Sequence, residues 1–258
     1  VNFDPVNVER LIRESGLPVW GKERPSTLLW LAVQSGRERS VMGGDSDPAV
    51  LAFVERAAER RGIPVLLPLM DLEDRSRVTF ADFLGGFEEN ILVASQRYGA
   101  DAVLIGSLAQ RPSGSWRGRF TLRSEGLWET RELNAGSVGA LIESAIGFTA
   151  EELARQYSFS AQTLGETLVE LQVAGIAALG DYARVLAYLS DLSPVSSVQV
   201  KRLSTEGVRY VLAVRGGRSD LQKVIALGNV LEQETTPPWD PRTAQENGAV
   251  ALQYRLRP

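Results

Sequence analysis

Asp71, Glu73 and Asp74 are the residues whose types and spacing come nearest to chemistry. They follow the apolar run Val65 to Met70, which reads as a buried strand, and so stand just past its C-terminal end, where open α/β sheets bind ligands. Three carboxylates there could hold magnesium or calcium, or divide the work of general acid and general base. The same residues also read as a solvated acidic loop that Arg75 and Arg77 neutralise. Ser107, after Ile105-Gly106, falls at the end of another predicted strand and could touch a ligand, although no base can be paired with it. Arg111, Arg117 and Arg119 cluster around Pro112-Ser113-Gly114, as an anion-binding loop or as an ordinary exposed turn.

What the chain lacks narrows the chemistry further. It contains neither cysteine nor histidine, which removes thiolate nucleophiles, disulfides, zinc-thiolate sites and His-ligated zinc, together with Ser-His-Asp and Cys-His catalysis. Any enzyme would have to rely on Asp, Glu, Lys, Ser, Thr or Tyr. The net charge of −4 is spread over mixed Arg, Asp and Glu, so there is no basic field to draw in nucleic acid. No cofactor or metal is expected.

Two motif look-alikes fail on context. Gly16-Leu17-Pro18-Val19-Trp20-Gly21-Lys22 fits the first seven places of a phosphate-binding loop. A true one needs a strand before it, a helix after it and a hydroxyl after the lysine. Here a helix precedes, Glu23 replaces the hydroxyl, and Pro18 removes an N–H that would cradle phosphate. Gly43-Gly44-Asp45-Ser46-Asp47 lacks the ligand count of a calcium loop and reads as a turn, with Asp47 as a helix cap. Trp116 and Trp128 fall within a predicted hairpin and read as core.

The elements that must position these residues follow from periodicity. At 258 residues and 44% hydrophobic, the chain has apolar material for one or two cores. A short helix over Val6 to Glu14 precedes a strand, Thr27 to Val33. Pro48 opens a helix that Gly62 stops. The strand Val65 to Met70, a loop, a helix from Glu88 to Tyr98 ended by Gly99, and a strand Ala102 to Ala109 follow. Trp116 to Ser124 and Leu127 to Ala135 form a hairpin, and Val138 to Tyr157 a long amphipathic helix. This predicts a mostly parallel α/β sandwich over residues 1–159 with a C-terminal hairpin and long helix. A polar linker, 160–165, leads to a second unit over 166–258. There the strand Glu166 to Val173, a helix faced by Tyr182, Val185, Leu186, Leu189 and Leu192, and paired strands around Val198 and Val208 to Val214 come in order. A helix with Ser219 and Gln222 as its capping box follows. The order βαββαβ is ferredoxin-like. A Pro-rich loop, Thr235 to Pro241, leads to a last strand near Val250 to Leu256.

Two segments carry a resemblance. Phe3-Asp4-Pro5 with Gly16-Leu17-Pro18-Val19-Trp20-Gly21, and Ser95-Gln96-Arg97-Tyr98-Gly99-Ala100-Asp101-Ala102-Val103-Leu104-Ile105-Gly106, stand with Trp30-Leu31-Ala32-Val33 and Arg61-Gly62-Ile63-Pro64 between them. Together they resemble the proteobacterial DUF2066 family, whose members look like exported proteins of uncharacterised role. The resemblance implies a periplasmic address and, because the chain opens at Val1 without a signal peptide, a missing N-terminal region. The Tyr98 to Gly106 stretch is also similar to the α/β domain of envelope lipoproteins, such as activators of penicillin-binding proteins and the curli-secretion channel, where it serves protein binding or assembly.

No apolar run approaches the ~20 residues of a membrane helix, so no transmembrane segment is expected. The combined expectation is a non-catalytic periplasmic binding or scaffolding protein of the cell envelope with a protein partner. The alternative is a small-ligand or nucleotide-binding domain using the strand ends near Asp71 and Ser107. A hydrolase built on the acidic cluster comes third.

Overall fold

Internal contacts divide the chain into Arg24–Arg155 and a second unit made of Val1–Glu23 with Gln156–Pro258. The computed structural model describes residues 20–44, 46, 48–158, 166–205, 207–234 and 252–258, with 4, 7, 8, 11, 12 and 15 near the start. Much of the predicted first helix, Gly16 to Val19, Asp45, Asp47, the linker 160–165 and the Pro-rich loop 235–241 lie outside the described residues. Assigning residues 1–23 to the second unit corrects the boundary expected at residue 1. Lys22 donates its backbone N–H to Ser193 Oγ at 2.8 Å and its ammonium to Asp191 at 2.6 Å, while Ser193 N–H donates to Glu23 at 3.1 Å. Contacts across some 170 residues of sequence are invisible to a left-to-right reading.

In the unit Arg24–Arg155, β1 (Thr27–Ser35) pairs parallel with β4 (Ala102–Gln110) along its length. Its other edge is shared by β3 (Val65–Leu66), parallel, and β2 (Glu38–Val41), antiparallel. β5 (Trp116–Ser124) and β6 (Leu127–Ala135) continue the sheet antiparallel, giving the order β2-β1-β4-β5-β6. The parallel trio is the α/β core; the hairpins on either side make the sheet mixed.

Both faces are covered. Leu28, Trp30, Ala32 and Ile105 meet Met70, Val78, Phe83, Ile91 and Ala94. Met70 and Val78 flank α2 (Leu72–Arg77), Phe83 lies in α3 (Phe80–Gly85), and Ile91 and Ala94 lie in α4 (Glu88–Ser95). On the other face α5 (Val138–Tyr157) lies over β5, since a Cβ on Gly118 would come within 3.1 Å of Leu141. α1 (Pro48–Arg61) packs on α5 so closely that a Cβ on Gly139 would stand 2.8 Å from Phe53.

Two expectations change here. The strand expected over Val65 to Met70 is confined to Val65–Leu66, because Pro68 has no N–H to offer a ladder and Met70 turns to φ 53. The predicted loop after it holds α2 and α3, short helices with local caps. Asp82 accepts from Thr79 N–H and Oγ, each at 2.7 Å, and from Asn90 at 2.8 Å. After α4, a 3-10 turn (Gln96–Tyr98) ends at Gly99, whose φ of 60 suits a residue without a Cβ.

The second unit builds a sheet in the order β10-β11-β7-β9-β8. Its strands are β7 (Glu166–Ala174), β8 (Val195–Ser204), β9 (Gly207–Arg215), β10 (Leu231–Gln233) and β11 (Leu252–Leu256). β7, α6 (Leu179–Asp191), β8, β9, α7 (Arg218–Leu227) and β10 follow the ferredoxin-like βαββαβ order, with β11 inserted parallel to β7 between it and β10. The expected capping box at Ser219 is displaced: Gly217, at φ 144, is the N-cap, and the helix has already begun at Arg218. Alternate residues Val169, Leu171, Val173 and Val208, Tyr210, Leu212, Val214 share the core with Val185, Leu189, Leu221 and Ile225.

Tyr210 is fully buried in that core, and no hydrogen-bond partner meets its hydroxyl among the described residues. Burial, with Tyr182 nearby, pushes it up to about 12; burial, with Glu23, does the same for Tyr188. A folded pKa above the unfolded value of about 10 favours folding fully below pH ~10 and loses that contribution as pH rises toward 12. Absorbance at 295 nm should therefore show part of the tyrosine titrating only with a cooperative loss of circular dichroism above pH ~10. Smooth ionisation of every tyrosine near pH 10 with the fold intact would refute this.

Candidate functional site

The acidic cluster is assembled by α2 and the 3-10 turn that precedes β4. Asp71 caps α2, accepting the Asp74 N–H at 3.0 Å. Arg97 then grips Asp71 with both arms of its guanidinium, at 2.9 and 2.8 Å, and reaches Asp74 at 3.2 Å and Glu73 at 3.4 Å. Asp74 is wholly buried, and its second oxygen accepts from Met70 N–H at 2.9 Å and Tyr98 Oη at 2.5 Å. Tyr98 Oη in turn accepts the Leu69 N–H at 2.9 Å.

The electrostatics follow from these partners. The Arg97 guanidinium, helped by the Asp74 N–H, holds the Asp71 carboxyl well below the usual carboxylate range, and Asp71 pushes Arg97 further up. Burial and the neighbouring Asp74 raise Tyr98. A carboxylate kept ionised by a two-armed guanidinium makes a poor proton donor near neutrality and a weak base. Among the described residues no group of three or more carboxylates is placed to hold a metal. Arg97 is the principal neutraliser, and Arg77 pairs with Glu73 at 3.2 Å. The cluster thus ties the segment after β3 to the turn before β4.

Ser107 sits in the middle of β4, opposite Ala32 and Arg119, rather than at its end. The strand runs on to Gln110 because β5 pairs with it throughout. No hydrogen bond joins Ser107 to the acidic cluster among the described residues. The three arginines near the turn are spread along β5 and its approach. Arg111 donates to Asn134 at 2.9 Å and Arg117 to Glu132 at 2.5 Å, while Arg119 faces Glu132 across the ladder. Asn134 and Glu132, on β6, supply the matching partners that a reading of the turn alone omits.

A different pair stands out. Arg123 and Trp128 are directly opposite across the β5–β6 ladder, and the Arg123 guanidinium lies 3.4 Å from the centre of the Trp128 ring. Trp128, expected in the core, is 64% exposed; on its face of the sheet α4 reaches β5 through Glu88, which accepts from Thr121 Oγ at 2.9 Å. No carboxylate pairs with Arg123 among the described residues. The two border an open groove of about 740 Å³ between the hairpin and the α4 side, with Leu92, Gln96, Val103 and Leu127 along it. Asp101 on its floor is already occupied, accepting from Ser26 N–H and Oγ at 2.7 Å each. The hairpin is legible in the sequence; the end of its helical cover is not.

No family model matches the chain, and no curated protein matches it. Among solved structures, the Protein Y N-terminal domain of Thermus thermophilus is 11% identical, with a TM-score of 0.25 over 51% of this chain and 94% of its own. A competence-damaged protein (CinA) superfamily member from Enterobacter cloacae is 14% identical, with a TM-score of 0.29 over 60% and 96%. The homoserine dehydrogenase of S. aureus is 8% identical, with a TM-score of 0.19 over 87% and 84%. At such scores neither the fold nor the function of this chain follows from theirs.

Proposed function

We propose that the chain is a non-catalytic binding or scaffolding protein of the bacterial cell envelope, working in the periplasm and engaging a protein partner through the groove beside Trp128. The observation that carries this reading is the exposed Trp128 bearing an uncommitted Arg123 guanidinium. Tryptophan and arginine are the residues most enriched at the energetic centres of protein interfaces, and a stacked guanidinium is held ready for a partner carboxylate. The committed state of Asp71, Glu73 and Asp74 supports it by turning the one acidic cluster with catalytic potential into a structural tie. The periplasmic address is supported by the resemblance to the DUF2066 family, and the assembly role by the likeness of Tyr98 to Gly106 to envelope-lipoprotein domains.

The test is a crosslinking pull-down of the tagged protein from its native envelope, run beside Arg123→Ala and Trp128→Ala. The expected result is one enriched envelope protein whose yield falls at least tenfold in both variants, about 1.4 kcal/mol or more of binding each. Equal capture by the variants, or no enrichment by the unaltered protein, would overturn the proposal.

A further inference from the structure

The sheet edges of the described residues differ in how they are guarded. Unpaired strand edges recruit other strands, and proteins blunt them with short length, bulges or charge. β2 spans Glu38–Val41, β3 Val65–Leu66 and β10 Leu231–Gln233, all too short to template a partner. β8 is long, but two register shifts, between Val195 and Ser197 and between Val200 and Arg202, bend it, and Lys201 and Arg202 stand at the second. β6 is neither short nor bulged, and its charges, Glu129, Arg131 and Glu132, are of mixed sign. It runs from Leu127 to Ala135 in unbroken register with β5, and its outer edge carries no strand.

The charges on β6 choose a partner. When two copies of a strand pair antiparallel about a two-fold axis normal to the sheet, each face stays continuous, so residues of the same parity lie opposite one another. An axis at Glu129, Arg131 or Glu132 would set like charges directly together, which is destabilising. An axis at Thr130 sets Glu129 opposite Arg131 twice, Leu127 opposite Leu133 and Trp128 opposite Glu132. We infer that β6 joins a second copy of this chain, antiparallel and centred on Thr130, to make one continuous sheet across the pair. Arg131 lies 4.3 Å over the Phe148 ring and donates to Glu152 at 3.1 Å, which holds its guanidinium on the α5 side of the sheet, the side that Glu129 shares.

This inference does not depend on the proposed partner. Glu129 and Arg131 lie opposite Leu122 and Phe120, on the face away from Arg123 and Trp128, so altering them leaves the groove residues in place. Because the chain has no cysteine, Thr130→Cys gives a clean readout. Under mild oxidation the full chain should form a disulfide-linked dimer, at least tenfold faster than Ser197→Cys on the guarded edge of β8. By light scattering the unaltered protein should be dimeric, Glu129→Arg and Arg131→Glu should each weaken the dimer at least tenfold, and the two together should restore it. A monomer at every concentration, linkage at Thr130 no faster than at Ser197, or a double variant as weak as the single ones would overturn the inference. If Arg131→Glu alone fails to fold, the cysteine pair still decides.

Discussion

Asp74→Ala should destabilise the unit Arg24–Arg155 by about 3 kcal/mol, the usual cost of breaking a buried, hydrogen-bonded charge pair. The loss is large because one carboxylate serves three donors. Met70 N–H and Tyr98 Oη would lose their shared acceptor at a buried position, and Arg97 would keep Asp71 but lose its buried partner. Met70 holds a left-handed backbone, φ 53, which a β or α residue would not adopt unaided. Removing the acceptor of its N–H should therefore also loosen the turn after β3. Asp74→Asn keeps an acceptor of the same shape and should cost less than half as much. The measurement is urea unfolding followed by far-ultraviolet circular dichroism. If both variants match the unaltered protein, the cluster is surface decoration and the structural reading of Arg97 is wrong.

Trp30→Ala should be the most damaging single truncation, about 4 kcal/mol, as expected for deleting a fully buried indole from a packed core. Trp30 lies at the middle of β1, opposite Ile105, and is 0% exposed. Its Nε1–H donates to Ser95 Oγ at 2.9 Å, and Ser95 Oγ donates to Ile91 O at 2.6 Å, which pins α4 to the sheet. The ring also meets Tyr98 edge-on at 6.5 Å and 88°, so the same tyrosine that holds Asp74 rests on Trp30. Trp30→Phe keeps most of the buried area but loses the donor, and should cost about 2 kcal/mol. Because Tyr98 links the two sites, Trp30→Ala and Asp74→Ala combined should cost less than the sum of the single losses in the same unfolding assay. Strict additivity would show that the aromatic contact transmits nothing.

These same residues show where sequence reasoning reaches and where it stops. Leu28, Trp30 and Ala32 announce a strand, and the Gly99 stop and the hairpin around Glu125-Gly126 announce themselves by local chemistry. The ferredoxin-like order of the second unit is legible for the same reason, since its alternating valines and leucines have a period of two. Nothing local reveals that Ser95 serves Trp30, or that Arg97 serves Asp71, because those partners lie far along the chain and no spacing rule connects them. Of the arginines near in sequence, Arg77 does meet Glu73, but Asp71 and Asp74 are gripped by Arg97 from the segment before β4. Trp128 departs from the core expected of it for a related cause. Whether a hairpin residue is covered depends on how far a distant helix extends, which its own neighbours do not encode.

The strand order of the second unit also governs when it can exist. Among the described strands of this sheet β11 comes latest in the chain, yet it stands inside the sheet, between β7 and β10. Until it emerges, β7 presents an open edge, and the apolar positions that Leu252, Tyr254 and Leu256 will cover stay wet. The module must therefore wait for β11, closing as a single late event like a zip fastened from the middle. A chain halted after β10 would carry four of the five strands of this sheet and still lack the one that joins β10 to β7.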